Sequence, residues 1–155
     1  MPRCLIAPLA IASASAALLL PSAGQAASHT QTLRFFDKPV SITLTHPDGT
    51  VIRHAPYPEP QAGDILDVDS LDFAGTHAHH AKRFSGSNHL RCVFGAGEPT
   101  CESHVAIGGS MLVVTGNPGT VTNGTGIYQG ATGRVISAKQ LPHDATDVVA
   151  KIHLR

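Results

Sequence analysis

The sequence predicts an all-β domain, built either as a sandwich or as a barrel. Apolar and polar residues alternate in short segments, for example at residues 40–45, and this is the period of a strand with one buried face. Clusters rich in Gly and Pro, such as residues 46–49, separate these segments as turns do. No long segment after residue 26 shows the spacing of an amphipathic helix. Short strands with such turns are typical of both architectures.

Strands are predicted in order along the chain. The alternating segments lie at residues 40–45, 50–54, 64–69, 88–94, 101–107, 110–115, 134–140 and 148–154. In the last of these, Val148, Ala150, Ile152 and Leu154 share one face. The proline-rich residues 55–60 predict an irregular connection, because proline cannot donate a backbone hydrogen bond. Residues 27–31 are expected to form a loose N-terminus.

The first 26 residues have the features of a removable signal peptide. Arg3 precedes an apolar run at residues 5–20, Pro21 interrupts it, and Gly24-Gln25-Ala26 offers small residues to a signal peptidase. The run is shorter than the roughly 20 residues that a membrane-spanning helix needs. We therefore predict a secreted, extracellular protein without a membrane span, whose residues 27–155 form a single domain.

The charge and the cysteines narrow the function classes. Eleven basic residues balance eleven acidic ones, so the basic stripe of a nucleic-acid-binding protein is not expected. Cys92 and Cys101 flank a Gly/Pro-rich turn, as two arms of a hairpin would. In an oxidising compartment such a pair indicates a disulfide, with a metal pair or a reactive thiol as the alternatives.

Three glycine motifs occur in an order that resembles a known superfamily. They are Gly63-Asp64-Ile65-Leu66 with Leu71 and Gly75, then residues 109–116, and then residues 124–133, GTGIYQGATG. In this order they are similar to the barrel of allene oxide cyclases and plant dirigent proteins. The cyclases use a glutamate and an asparagine on their first strand, where this chain offers Asp37.

The resemblance implies a small antiparallel β-barrel of about eight strands, large enough to hold one small ligand. It also implies assembly as a homodimer or homotrimer and chemistry without a cofactor. Cyclases of this superfamily close a ring in a fatty-acid epoxide. Dirigent proteins direct the coupling or ring closure of radicals and quinone methides made by a separate oxidase.

Four residues are the candidates for a site. Asp69 and Tyr128 are the catalytic candidates, since a buried carboxyl or a phenol can transfer or orient a proton. For Asp69 the alternative is a solvated strand face, and for Tyr128 it is a packing aromatic. Arg91 is a candidate ligand contact if its face is internal, with Asp69 as its expected partner; otherwise it is an outward charge.

The histidines at residues 77–80 are the last candidate group. His77 and His79 would share one strand face and could ligate zinc or copper if a third ligand were near. Their spacing matches no established metal motif, so we assign no metal and take His79 as a candidate ligand contact.

The leading hypothesis is a secreted, cofactor-free barrel that binds a hydrophobic natural-product intermediate and directs its stereoselective cyclisation or coupling, as an isomerase-like or dirigent-like protein. The alternative is a secreted small-molecule-binding or surface protein without catalysis. A converging set of titratable groups in a cavity would favour the first, and a purely apolar pocket the second.

Overall fold

A computed structural model describes residues 28–117 and 119–155. The signal peptide predicted for residues 1–26 lies outside the described residues. The strands are β1 (His29–Thr45), β2 (Val51–Ile52), β3 (Ile65–Thr76), β4 (His79–His80), β5 (Gly86–Val93), β6 (Thr100–Ile107), β7 (Ser110–Thr115), β8 (Thr120–Thr125), β9 (Thr132–Gln140) and β10 (Thr146–Leu154). Two 3₁₀ turns, Gly126–Tyr128 and Pro142–Asp144, precede β9 and β10. Among these residues no helix has the length and apolar character needed to cross a membrane.

The eight long strands close into an antiparallel barrel. Neighbours along the chain pair from β5 to β10, β10 pairs with β1, and β1 pairs with β3, which pairs with β5. The short strands β2 and β4 add to β1 and β3. Closure gives every long strand a partner on both sides, which removes the free edges of an open sheet. The predicted all-β barrel is confirmed.

The first strand is longer than the sequence suggests, because two long strands, β10 and β3, pair with successive parts of it. Its residues 29–37 pair with β10 and its residues 35–45 pair with β3. The β1–β3 register shifts between Pro39 and Ser41, where proline lacks a backbone donor for the ladder. The prediction of a loose N-terminus at residues 27–31 was wrong for His29 to Gln31, which pair with the end of β10.

Other strand boundaries differ in ways that side-chain patterns explain. β8 was not predicted, because Thr, Asn and Gly in its sequence TVTNGT leave no apolar alternation to detect. β3 extends to Thr76, well past the predicted end, because its residues as far as Ala74 pair with β1 and its last two residues pair with β4. β2 is shorter than predicted, since only its first residues pair with β1.

The packed core occupies one end of the barrel. Inward side chains of several strands meet there under the 3₁₀ turn that carries Tyr128. The buried members of this cluster are Leu33, Phe35, Leu112, Val121, Tyr128, Ala131, Ile152 and Leu154. The predicted inward face of β10 is confirmed, since Ala150, Ile152 and Leu154 are buried.

Cys92 and Cys101 form the predicted disulfide. They are directly opposed in the β5–β6 hairpin, and both are buried. The bond fixes the register of the two strands next to the turn at residues 94–99.

Candidate functional site

Two cavities lie in the interior of the barrel, on either side of a small polar group of side chains. The first, of about 320 Å³, is walled on one side by Tyr57, Pro58 and Pro60, and we call it the proline-side cavity. The second, of about 180 Å³, reaches core residues such as Leu33, Phe35 and Leu112, and we call it the core-side cavity. Asp37 and Asn88 line both cavities. The first volume is at the lower end of the range for small-molecule sites.

The walls of both cavities are largely apolar. Alternation places one face of each strand inside, so aliphatic side chains of β1, β3 and β5 line the proline-side cavity and those of β6, β7 and β10 line the core-side cavity. The proline-side wall is held by Tyr57, whose hydroxyl donates to the carbonyl oxygens of Ile42 and Arg53, each at 3.2 Å. This construction suits a ligand with an apolar body.

Asp37 and Asp72 face each other at the junction of the cavities. They are directly opposed in the β1–β3 register, and their carboxyl groups share a hydrogen bond. Their exposed fractions are only 8% and 3%. Both continue the inward faces of their strands, Asp37 after Leu33 and Phe35 and Asp72 after Ser70.

A chain of hydrogen bonds continues from this pair across the barrel. The side-chain amide of Asn88 donates to Oδ2 of Asp37 at 3.2 Å, and Ser103 Oγ donates to Oδ1 of Asn88. The network therefore links β3, β1, β5 and β6. Such a network holds the carboxyl pair in one orientation, because each donor is fixed by the next strand.

The pair shares protons unequally at neutral pH. Burial first, then the negative charge of Asp37 and the hydrogen bond between the two carboxyl groups, together raise the pKa of Asp72 to about 8. Asp72 thus keeps its proton while Asp37, which receives the amide hydrogen bond, carries the negative charge. One carboxylic acid and one carboxylate side by side can donate and accept a proton in the same reaction.

Comparison with known proteins agrees with this architecture. No protein-family model and no curated protein matches the chain. Among solved structures, pyocyanin demethylase superposes with a TM-score of 0.53 and 14% identity over 81% of this chain and 98% of its own. A pterocarpan synthase dirigent protein superposes with a TM-score of 0.55 and 16% identity over 82% of this chain and 90% of its own.

The chain has a dirigent-like barrel fold. At these identities the likeness shows the fold alone, and it confirms the barrel that the three glycine motifs implied. The roles of the interior residues therefore follow from the contacts that they make in this chain.

Asp69 and Arg91 lie on the outer surface of this barrel. The side chain of Asp69 is 57% exposed, and its Oδ1 is 2.8 Å from Nδ1 of His89. Arg91 lines a shallow external groove and contacts Asp67 at 3.4 Å. The expected pairing of Arg91 with Asp69 was wrong, because the β3–β5 register places Asp67 opposite Arg91 and Asp69 opposite His89. Neither Asp69 nor Arg91 lines either interior cavity.

The histidine segment also lies outside the cavities. His79 is exposed in β4, and His77 binds Asp147 through its backbone N–H and through Nδ1, each at 2.7 Å. The ring of His80 packs against Phe36 and Phe73. Within the described part of the chain, no three His, Cys, Asp or Glu side chains lie close enough to hold a metal ion.

Tyr128 is a packed residue of the core cluster. It is 2% exposed, and burial raises the pKa of its phenol. It is not among the residues lining either interior cavity, so the structure brings it together with none of the other three predicted site residues. Its backbone lies directly over Gly124, which explains the glycine at that position of the motif.

Sequence reasoning missed the Asp37–Asp72 pair, although a signal for it existed. Asp72 lies an even number of residues after Leu66 and Val68, so it shares their face of β3, whereas Asp69 lies on the opposite face. Asp37 likewise shares one face of β1 with Leu33 and Phe35. Following each apolar face towards the C-terminus to its next ionisable residue, past Ser70 in β3, would have pointed to both aspartates.

Proposed function

We propose that this is a secreted barrel protein that binds an apolar small molecule inside the barrel and directs its stereoselective cyclisation or coupling. The observation that carries the proposal is the half-protonated pair Asp37 and Asp72 at the junction of two apolar cavities. A carboxylic acid that keeps its proton at neutral pH is costly to maintain in a protein core, and such groups cluster at functional sites.

The pair supplies the two proton transfers that a ring closure needs. With a hydroxylated quinone methide as substrate, Asp72 gives its proton to the carbonyl oxygen, which makes the methide carbon more electrophilic. The hydroxyl of the same molecule attacks that carbon and loses its proton to Asp37. One carbon–oxygen bond forms, the ring becomes aromatic, and no electrons enter or leave. The pair ends with its single proton on the other carboxyl, which a proton exchange between the two resets.

The cavity walls would supply the stereochemical control. A substrate held with its body against the aliphatic walls can present one face of its reacting carbon to the attacking group, because the other orientation meets the barrel wall. A reactive intermediate of this kind has to be produced by another enzyme, and we assign that step to a separate oxidase.

Secretion is supported by two features of the chain. The first 26 residues have the composition of a signal peptide, and the buried Cys92–Cys101 disulfide is typical of an oxidising compartment. Assembly as a homodimer or homotrimer is part of the same proposal and rests on the family resemblance.

The test is a stereochemical one. Protein produced from the full chain is added to an oxidase and a panel of phenolic precursors, and the enantiomeric excess of the products is measured by chiral chromatography. We expect an excess that falls to near zero with Asp72→Asn and with Asp37→Asn and is retained with Asp69→Asn, which removes an exposed carboxylate outside the cavities.

Two outcomes would count against the proposal. Racemic products with every precursor, together with ligand binding, would favour the non-catalytic binding protein instead. An excess that survives both interior substitutions would show that the carboxyl pair is not the acid–base group.

A further inference from the structure

The barrel interior holds a negative charge, and the inference drawn from it rests on the proposed function. Asp37 and Asp72 share one negative charge at neutral pH, and Asp144, which is exposed to solvent, adds a third carboxyl group to the wall of the proline-side cavity. None of the described residues lining the two cavities is Lys, Arg or His. Within residues 28–117 and 119–155, the buried charge thus has a hydrogen-bond donor as a partner but no cationic side chain beside it in the cavity walls.

The titratable groups at the two cavities come from four segments of the fold. β1 carries Asp37, β3 carries Asp72, the 3₁₀ turn before β10 carries Asp144, and the proline-rich connection carries Tyr57. The facing residues of β5 and β6 are Asn88 and Ser103, which do not titrate. Every group there that ionises does so to a negative charge.

We propose that the interior is a site for an organic cation with an apolar body, such as a protonated amine, an iminium ion or a cationic heteroaromatic ring. The cationic atom would lie at Asp37 and Asp72, and the apolar body would fill one or both cavities. An anionic ligand is disfavoured, because a second negative charge would be buried beside the first with no cation to offset it. A neutral ligand of the same shape should bind with an affinity between those of the cation and the anion.

The cation preference separates this interior from a fatty-acid site. A fatty-acid carboxylate would be repelled by the charged groups that the structure describes in the cavity walls, all of which are carboxyl groups. A cation instead supplies the missing counter-ion and gains charge-assisted hydrogen bonds from a carboxylate already held in position by Asn88.

Three probes of one shape test the idea: naphthylmethylamine, naphthalenemethanol and naphthoic acid, which are cationic, neutral and anionic at about pH 7. Their dissociation constants for the full-length protein are measured by isothermal titration calorimetry. We expect the amine to bind about tenfold more tightly than the alcohol, and the acid to bind at least about tenfold more weakly than the alcohol.

Two double variants assign the preference to the interior pair. In Asp37→Asn with Asp72→Asn the preference for the amine over the alcohol should be lost, because no buried charge remains at the junction and the charge of the exposed Asp144 is screened by solvent. In Asp67→Asn with Asp69→Asn the same number of carboxylates is removed from the outer surface, and the preference should persist. The single variant Asp72→Asn keeps the charge of Asp37 and should keep the preference, which guards against misfolding of the double variant.

The outcomes distinguish this inference from the proposed function. Binding of all three probes with equal affinity, or tighter binding of naphthoic acid, overturns the cation preference and leaves the small-molecule barrel intact. A preference that survives removal of both interior carboxyls also overturns it. Failure of every probe and every phenolic precursor to bind overturns the proposed function, and the cation site with it.

Discussion

Asp37 on β1 and Asp72 on β3 face each other across the strand ladder inside the barrel, with a hydrogen bond between their carboxyl groups. Like charges at this separation cannot both be accommodated in a nonpolar interior, so one proton is retained between them. The same relationship that suits proton transfer also ties the stability of the barrel to pH.

The first prediction concerns this pH dependence. The pKa of Asp72 is raised from its ordinary value of 3.8 to about 8, so between these values the folded protein holds a proton that the unfolded chain has released. The contribution of this group to stability is therefore fully present below about pH 4 and is lost as the pH rises towards 8. The free energy of unfolding should fall by at most about 1.4 kcal/mol per pH unit from this cause.

The variant Asp72→Asn tests whether the unfolding free energy falls as the pH rises because of this group. Asparagine resembles the protonated acid in shape and can donate to Asp37, so the variant should match the natural protein near pH 4 and exceed its stability near pH 8. Urea unfolding at several pH values measures this, with Asp69→Asn as the control. Parallel stability curves for the natural protein and Asp72→Asn would contradict a shared proton.

A second prediction concerns Asp64, which is fully buried and lies immediately before β3. Its carboxylate accepts hydrogen bonds from the backbone N–H of Gln61 and from Nδ1 of His46, each at 2.8 Å. The hydrogen bond from the Gln61 N–H is the larger cause, and that from the His46 side chain the smaller, of the lowered pKa of Asp64. A lowered pKa stabilises the fold above about pH 4, and this stabilisation is lost as the pH falls through the folded-state pKa.

Asp64→Asn should therefore lower the melting temperature at neutral pH, and the deficit should narrow below about pH 4. Calorimetric melting at both pH values measures it. A deficit that is the same at both would show that the charge of Asp64 is irrelevant and only its shape matters.

The disulfide gives a third prediction. Replacing Cys92 and Cys101 together by alanine should cost about 2–3 kcal/mol of unfolding free energy, because the closed loop no longer restricts the unfolded chain. Denaturant unfolding of the double variant measures it, and reduction of the natural protein should have a comparable effect. Reductant should leave the double variant unchanged; any further loss would point to a cause other than this bond.

Gly124 gives a fourth prediction. A methyl group there would overlap with the carbonyl oxygen of Tyr128, which crosses directly above it. Gly124→Ala should therefore lower the unfolding free energy by about 1–3 kcal/mol, as overpacking of a core does. Gly97→Ala is the matched control, since nothing lies within 4 Å of the position its methyl group would take. Equal stability of the two variants would contradict this account of the glycine motif.

A fifth prediction concerns the mature N-terminus. Cleavage after Ala26 would leave His29 and the rest of β1 intact to pair with β10. Intact-mass spectrometry of the protein recovered from a secreting host should give a chain beginning at Ala27. A chain that retains residues 1–26 would contradict the signal-peptide prediction.

The fold was largely predictable because its signals are local. Alternation within β7 and β10 and the turn between Cys92 and Cys101 lie within short segments, so a sequence window contains them whole. β8 was not predicted because apolar and polar residues do not alternate in it. Its place in the barrel is set by pairing with β7 and β9. The pairing of the N-terminal part of β1 was not predicted because its partner, β10, is the last strand of the chain and lies far away in the sequence.

By itself the sequence determined an all-β chain with a cysteine pair placed for a disulfide and a glycine-rich segment that allows close backbone contacts. Tertiary structure alone decided which aspartates meet. Asp69 has a histidine across the strand ladder on the outer face, while Asp72 meets Asp37 inside, and the pairing that joins them runs between strands that are not adjacent in sequence. Barrel closure is a long-range event, and the environment that makes Asp72 hold its proton exists only after that closure has occurred.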